Sequence, residues 1–298
     1  MTHDGTAAGA LLAEAAARLA AAGIAAPRRE AAVLLAHVSG VPAGILLADR
    51  QRGIGARAAA AFRDLVARRA TREPLQHLVG RWPFLDFELR VDRRALVPRQ
   101  ETELLAAWAI DEARARGARR VADVGTGSGC LAIALARGVP GVRVVAVDAS
   151  AAALSLAREN VREHGLAGRV ALVRGCLVEA LGPGAVDLIV ANLPYVAEDE
   201  HATLEPEVRD HDPREALVAA DGGFATIARL VDRAAAALAP RGALLLEFDP
   251  RQAERLRALC ARRAWQDVVL RDDFSGRPRC ARAVRPAEPV GAGEGDAG

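Results

Sequence analysis

The sequence predicts an α/β fold: a parallel sheet with helices on both faces, preceded by an all-helical segment and a small β-hairpin. Three observations carry this. From Pro98 onward, apolar runs of strand length alternate with amphipathic stretches of helix length, which is the pattern of successive β-α units. Ahead of them, alanine- and leucine-rich segments repeat with helical spacing only. Between the two textures, Leu85, Phe87, Leu89 and Val91 alternate with Asp86, Glu88 and Arg90, the period-two signature of a half-exposed strand.

The elements follow in order. Leu11, Leu12, Ala15, Ala16 and Leu19 fall on one helical face over residues 8–22. A second helix starts near Pro27, a favoured first-turn position, and stops before Gly40. A third runs from Ala56 to Ala70, so residues 1–74 read as a helical domain. Leu75 to Val79 before the alternating run and Leu96-Val97 after it complete a hairpin linker over residues 75–97. The domain over 98–285 then opens with a helix from Glu101 to Arg116. Strands are expected at 120–124, 142–147, 170–174, 186–191 and 242–248, with helices near 130–137, 151–164, 223–238 and 250–263. Asp267–Arg271 and Cys280–Val284 flank a turn-rich stretch and read as an antiparallel pair at the sheet edge. Residues 286–298 are Pro, Gly, Ala and acid with little to bury, and are expected to be a disordered tail.

Composition narrows the function classes. The net charge of +2 gives no strong field toward nucleic acid or a membrane, so no direct nucleic-acid partner is expected. All 40 basic residues are arginine, a bias we read as genomic. Cys130, Cys176, Cys260 and Cys280 form no C-x-x-C pair and have no His cluster, so neither a metal site nor a disulfide framework is expected, and a reducing cytoplasm fits best. The alanine-rich opening is broken by Glu14 and Arg18, so it reads as neither a signal nor a membrane span.

Two motifs carry chemistry. Asp123-Val124-Gly125-Thr126-Gly127-Ser128-Gly129 lies between a predicted strand and helix, where glycines permit a tight turn and close approach of a ligand to the backbone. Asp148 ends the next strand, 19 residues after Gly129, where a carboxylate can accept ribose hydroxyls. A dinucleotide fingerprint would need glycine at position 130, which is Cys130. The second motif is Asn192-Leu193-Pro194-Tyr195, which ends a buried strand with the only tyrosine of the chain. The Asn192 side-chain oxygen and the carbonyl at Pro194 can both accept from one planar –NH2 while the ring lies over its face. An Asn-x-Pro sequence also makes an ordinary strand-ending turn.

The G-x-G-x-G loop with an acid two residues ahead resembles motif I of the S-adenosylmethionine-dependent methyltransferases. Asp123 would then stand near the cationic amino end of the cofactor, or cap the glycine turn. The tetrad looks like motif IV of enzymes that methylate planar nitrogens. Further stretches narrow the resemblance: Glu73 to Gly80, Val97 to Glu103, Glu205-Pro206-Glu207-Val208 with Leu217 to Gly222, and Gly276-Arg277-Pro278-Arg279. Together they resemble the N5-glutamine methyltransferases of class-1 peptide chain release factors (the HemK/PrmC type), over roughly residues 10–285.

The resemblance implies a Rossmann-like methyltransferase sheet behind a helical domain and a hairpin, S-adenosyl-L-methionine as cofactor, and the glutamine of the release factor's Gly-Gly-Gln motif as substrate. Carried over by position, Gly125, Thr126, Gly127, Ser128 and Gly129 cradle the cofactor and Asp148 holds its ribose. Asn192, Leu193, Pro194 and Tyr195 hold the substrate amide for in-line methyl transfer, with Asn192 also near the methyl donor. Two positions depart from the family pattern: Leu193 stands where a second proline is more usual, and Cys176 where an acid near the adenine is usual. The loop over 196–222 is expected to be a substrate-facing lid, with His201 and His211 as surface residues. Glu101 and Glu103 are either site-wall residues or helix-start acids. Alternatives stay open at this point: an adenine-N6 methyltransferase of rRNA or DNA, a nicotinamide-dependent oxidoreductase, or a non-catalytic cofactor-binding partner.

Overall fold

The computed structural model describes residues 5–287, so all but the first residues of the expected tail at 286–298 lie outside the described residues. The chain divides into two compact units. One comprises the described residues up to Trp82 together with Glu205–His211, and the other the remainder.

The first unit packs helices α1 (Ala8–Ala21), α2 (Pro27–Ser39), α3 (Ala43–Ala48), α4 (Ala56–Ala70) and α5 (Leu75–Val79). Strands β1 (Thr6–Ala7) and β2 (Gly53–Ile54) pair antiparallel beside them. Its core is built from Leu11, Leu19, Leu34, Leu35, Leu46 and Phe62, each no more than 1% exposed. Burial of such side chains stabilises by about 1.5–3 kcal/mol apiece. Gly40 takes a left-handed φ of 69° and stops α2, as expected of a C-terminal glycine. Buried Arg69 on α4 lies between two carboxylates, donating to Glu30 at 2.6 Å and to Glu207 at 2.8 Å. Arg72 adds a second bond to Glu207 at 2.6 Å and one to Glu205 at 3.0 Å. Glu205-Pro206-Glu207 therefore belongs, by its ion pairs, to the helical unit. Deleting a cation buried in this way would leave its carboxylates repelling each other.

The hairpin differs from expectation. Leu75–Val79 is a helical turn, and the paired strands are β3 (Arg81–Phe84) and β4 (Phe87–Arg90), with no strand at Leu96-Val97. The reversal falls at Leu85-Asp86, where Leu85 has a φ of 52°, so the second strand starts at Phe87, two residues after the alternation does. The backbone N–H of Leu85 donates to Glu103 at 3.0 Å, which fixes the turn.

In the second unit, α6 (Gln100–Ala115) leads into β5 (Arg120–Val124), α7 (Cys130–Gly138), β6 (Arg143–Asp148), α8 (Ala151–Glu163), β7 (Val170–Arg174) and β8 (Val186–Asn192). Short helices α9 (Pro206–Arg209) and α10 (Arg214–Leu217) follow; α9 falls within the segment grouped with the first unit. Then come α11 (Ala225–Ala237), β9 (Leu238–Glu247), α12 (Ala253–Arg262), β10 (Gln266–Asp272) and β11 (Pro278–Val284). The seven strands run in the order β10-β11-β9-β8-β5-β6-β7. β8, β5, β6, β7 and β9 are parallel, while β11 pairs antiparallel with both β9 and β10. The α11 face that packs on the sheet carries Ile227, Leu230, Val231, Ala234 and Ala237, a narrow helical stripe. The chain runs from β5 outward to β6 and β7, then returns to β8 and β9 on the other side. That reversal between β5 and β8 is where an open α/β sheet leaves a crevice at its strand ends. No described helix is long and apolar enough to cross a membrane.

Candidate active site

A cavity of ≈ 260 Å³ opens at this crevice, walled by the glycine loop after β5, Asp148 after β6, Gly175-Cys176 after β7 and Asn192-Leu193-Pro194 after β8. The loop takes its shape from positive φ at Gly125, Gly127 and Gly129, of 76°, 55° and 85°. Gly125 also approaches the tetrad so closely that a Cβ there would meet Leu193 Cδ2 at 2.8 Å. Loop and tetrad are thus two walls of one site, and each limits what the other can carry.

Asp148 holds the loop from outside. One carboxylate oxygen accepts from Gly127 N at 2.9 Å and the other from Ser150 N at 2.9 Å. A carboxylate offers about four lone-pair positions, so acceptor capacity remains at this wall. Asp123 holds it from beneath. It is fully buried, accepts from Thr126 Oγ1 at 2.6 Å and from Ala132 N at 3.0 Å, and is not part of the cavity wall. Of the two readings of Asp123, the structure supports turn capping. Burial, with Thr126 and Ala132 opposing it and Asp148 adding to it, pushes its carboxyl up to about 7. Ser128 is buried, its carbonyl held by Asn160 Nδ2 at 2.9 Å. Cys176 lies at the cavity wall with Arg229 Nη2 donating to its sulfur at 3.5 Å.

The tetrad's polar atoms are tied to residues that the motif did not point to. Asn192 Nδ2 donates to Thr102 Oγ1 at 2.9 Å, and Thr102 Oγ1 donates to Glu247 Oε2 at 3.0 Å. The Tyr195 hydroxyl donates to the other oxygen, Glu247 Oε1, at 3.1 Å. Gln252 Nε2 donates to the Tyr195 carbonyl at 3.2 Å and to that of Gly222 at 3.4 Å. Glu247 is 1% exposed at the end of β9. Burial raises its carboxyl to about 7 against the pull of Thr102, Tyr195 and Arg279, with Glu101 nearby adding to the rise. The same burial, reinforced by the Glu247 charge, pushes the Tyr195 phenol up from its usual range, so it stays a donor at neutral pH.

The other flagged stretches have structural partners. Arg99 donates to buried Asp212 at 2.7 Å. Val196 bridges Val218, and Ala219 N donates to Val196 O at 3.0 Å, laying the Leu217–Gly222 stretch beside the tetrad. Pro213, Glu215, Ala216 and Val218 reach the cavity wall, so this part of the 196–222 loop faces the site. Glu205–His211 groups instead with the helical unit. Glu103 serves the hairpin turn and does not line the cavity. Arg279 donates to Phe248 O at 3.4 Å.

Sequence comparison accords with this architecture. Residues 10–80 match the PrmC N-terminal domain, and residues 101–207 match the Methyltransferase small domain. A release factor glutamine methyltransferase of Deinococcus radiodurans is 46% identical over 275 residues, covering 92% of this chain and 97% of that protein. The chain belongs to the release factor glutamine methyltransferases. The Mycolicibacterium smegmatis enzyme of the same name is 42% identical, covering 91% of this chain and 95% of that protein. Among solved structures, the hMettl16 catalytic domain in complex with a MAT2A 3′UTR hairpin aligns with a TM-score of 0.56 at 17% identity, over 76% of this chain and 83% of that one. That likeness is one of fold: a Rossmann-like methyltransferase sheet. Membership in the family makes S-adenosylmethionine the cofactor, and the cradle fits it: a glycine backbone at the wall, a carboxylate with spare acceptors at the end of β6, and no side chain filling the crevice.

Proposed function

We propose that this chain methylates N5 of the glutamine in the Gly-Gly-Gln motif of class-1 peptide chain release factors, in the cytoplasm, with Asn192, Pro194 and Tyr195 as the substrate-holding residues. As a release factor glutamine methyltransferase it is an S-adenosylmethionine-dependent enzyme acting on a protein glutamine. The observation that carries the finer reading is Asn192-Leu193-Pro194 at the crevice beside the glycine loop, with the asparagine amide held by Thr102 and Tyr195 tied to Glu247 outside the cavity wall.

When bound, S-adenosylmethionine supplies a methyl group made electrophilic by its sulfonium. Gly125 through Gly129 and Asp148 would hold it. The difficulty lies with the acceptor, because a primary amide nitrogen delocalises its lone pair into the carbonyl. Asn192 Oδ1 and the Pro194 carbonyl would each accept one amide hydrogen, turning the nitrogen lone pair toward the crevice. Tyr195 would supply an apolar face beside the amide plane. Fixing a reactant in this way is worth roughly 7–11 kcal/mol in favourable intramolecular cases. Leu193, buried against Gly125, keeps the turn seated without the usual second proline. The adenine-N6 and nicotinamide alternatives have no support in the relatives, which carry the glutamine activity by name across nearly their whole length.

The test is mass spectrometry of a release factor incubated with this protein and S-adenosylmethionine. A gain of one methyl on the Gly-Gly-Gln peptide is expected, and Asn192→Ala should abolish it while cofactor binding persists. Strong residual methylation by that variant would refute the role given to Asn192.

A further inference from the structure

We propose that Thr102 and Glu247 form a hydrogen-bond relay that sets which end of the Asn192 amide faces the substrate, making both of them positioning residues for methyl transfer. This rests on the reading that Asn192 holds the substrate amide.

An asparagine side chain is almost symmetric in shape but opposite in function at its two ends: one accepts and the other donates. A substrate –NH2 needs an acceptor. An Asn192 turned by 180° about its terminal bond would present its own –NH2 and repel the substrate, with no change in volume or fold. Something in the protein must therefore choose the rotamer. The carboxylate of Glu247 makes that choice from a distance. When ionised it has no hydrogen to give, so both hydroxyls that touch it must donate: Tyr195 at 3.1 Å and Thr102 at 3.0 Å. A threonine hydroxyl has a single hydrogen. With that hydrogen committed to Glu247, Thr102 Oγ1 can only accept from Asn192, 2.9 Å away. The Asn192 –NH2 is thereby drawn to Thr102, and Oδ1 is left facing the other way.

The placement suits the task. Glu247 is 1% exposed and Thr102, at the cavity wall, 3%, so both bonds are largely shielded from bulk water. The three elements are distinct: Thr102 lies in the first turn of α6, Glu247 ends β9 and Asn192 ends β8. Asn192 and Glu247 are register partners on neighbouring parallel strands, so the sheet itself sets their spacing. The same carboxylate binds Tyr195, which couples the ring and the amide to one anchor.

The experiment uses the full chain, S-adenosylmethionine and a release factor substrate. Steady-state methylation is measured for the unsubstituted protein, Thr102→Val and Thr102→Ser, and cofactor affinity by calorimetry. Valine keeps the shape and removes the hydroxyl; serine restores the hydroxyl. The expected result is a kcat for Thr102→Val lower by about a hundredfold, the scale of a misplaced reactant. Its cofactor Kd should stay within about threefold, the KM for the release factor should change far less than kcat, and Thr102→Ser should recover most of the loss. Glu247→Gln, which swaps one acceptor for a donor and lets the relay run backwards, should lower kcat by roughly tenfold or more, the scale of one hydrogen bond near its upper net worth. A Thr102→Val enzyme within about twofold of the original, or equal impairment by valine and serine, would overturn the relay. Absence of glutamine methylation by the unsubstituted protein is a different result: it would overturn the substrate reading, and the relay with it.

Discussion

Replacing Gly223 by alanine asks whether the backbone of the Asn-Leu-Pro-Tyr turn is held firmly enough to govern turnover. Gly223 has a φ of 81°, and a Cβ built there would sit 2.0 Å from the Tyr195 carbonyl oxygen, 2.7 Å from its carbon and 3.0 Å from the Val196 carbonyl carbon. Left-handed backbone alone costs an alanine about 1–2 kcal/mol. To restore an ordinary contact of 3.4 Å the Tyr195 carbonyl must retreat by about 1.4 Å. That carbonyl accepts from Gln252, and the ring of the same residue is tied to Glu247, so retreat strains both ends of Tyr195. Overpacking of this kind adds roughly 1–3 kcal/mol. We expect Gly223→Ala to lower stability by roughly 2–5 kcal/mol in denaturant titration. The kcat for release factor methylation should fall by about a hundredfold or more, since a displacement near 1 Å suffices for that. Cofactor affinity should hold, because Gly223 is not in the cavity wall. Gly222→Ala is the internal control: its φ of 62° carries the same backbone penalty, but a Cβ there meets nothing within 4 Å. Equal kcat for the two alanine variants would refute the argument from contact with Tyr195.

Two further outcomes follow from the geometry. Asp148→Asn leaves one acceptor where two backbone N–H groups now bond and turns a donor toward the other, so the cofactor Kd by calorimetry should rise by roughly ten- to a hundredfold; an unchanged Kd would remove Asp148 from the cradle. Stability should also depend on pH in an unusual direction. Asp123 and Glu247 have folded carboxyls raised to about 7 by burial, so they bind protons the unfolded chain has lost, and their contribution is full below the ordinary carboxylate range and lost as pH rises through about 7. Glu73, which its bond to Arg68 holds low, and Glu207, held low by its bonds to Arg72 and Arg69 against burial, act oppositely and lose their contribution only on acidification. The unliganded protein should therefore melt at a higher temperature near pH 5.5 than near pH 8. Glu247→Gln should reduce that slope, and a slope left unchanged by the substitution would show that the Glu247 carboxyl is not raised.

Much of this was legible from local pattern. The bounds of α1, α2 and α4 follow from spacing plus Pro27 and Gly40, because those signals act within one turn of helix. The strands of the sheet show as apolar runs because parallel strands are buried on both faces. The hairpin was misread where a short apolar helix, Leu75–Val79, looks like a strand, and where Leu85 adopts a turn conformation that no periodicity reveals. At the site, Asn192 and the glycines announce themselves by residue type. Thr102 and Glu247 do not, since each acts through a partner 90 or 145 positions away and only the fold brings them together. One signal for Glu247 was present: a single carboxylate closing the apolar run Ala243 to Leu246, a costly place for a charge unless it has partners. Asp123 shows the converse, a motif acid whose work is to hold its own loop.

The bonds from Arg69 and Arg72 to Glu205 and Glu207 bear on how such enzymes can be recombined. The helical unit is not a detachable prefix, because it includes a stretch of chain contributed some 120 residues after Trp82. A hybrid joining the first 82 residues of this chain to the remainder of a relative would part Arg69 and Arg72 from the Glu205 and Glu207 they bond here. Cut after α4 or anywhere up to the hairpin, the graft inherits half a network; only an exchange that carries 205–211 along with the helices transfers it whole.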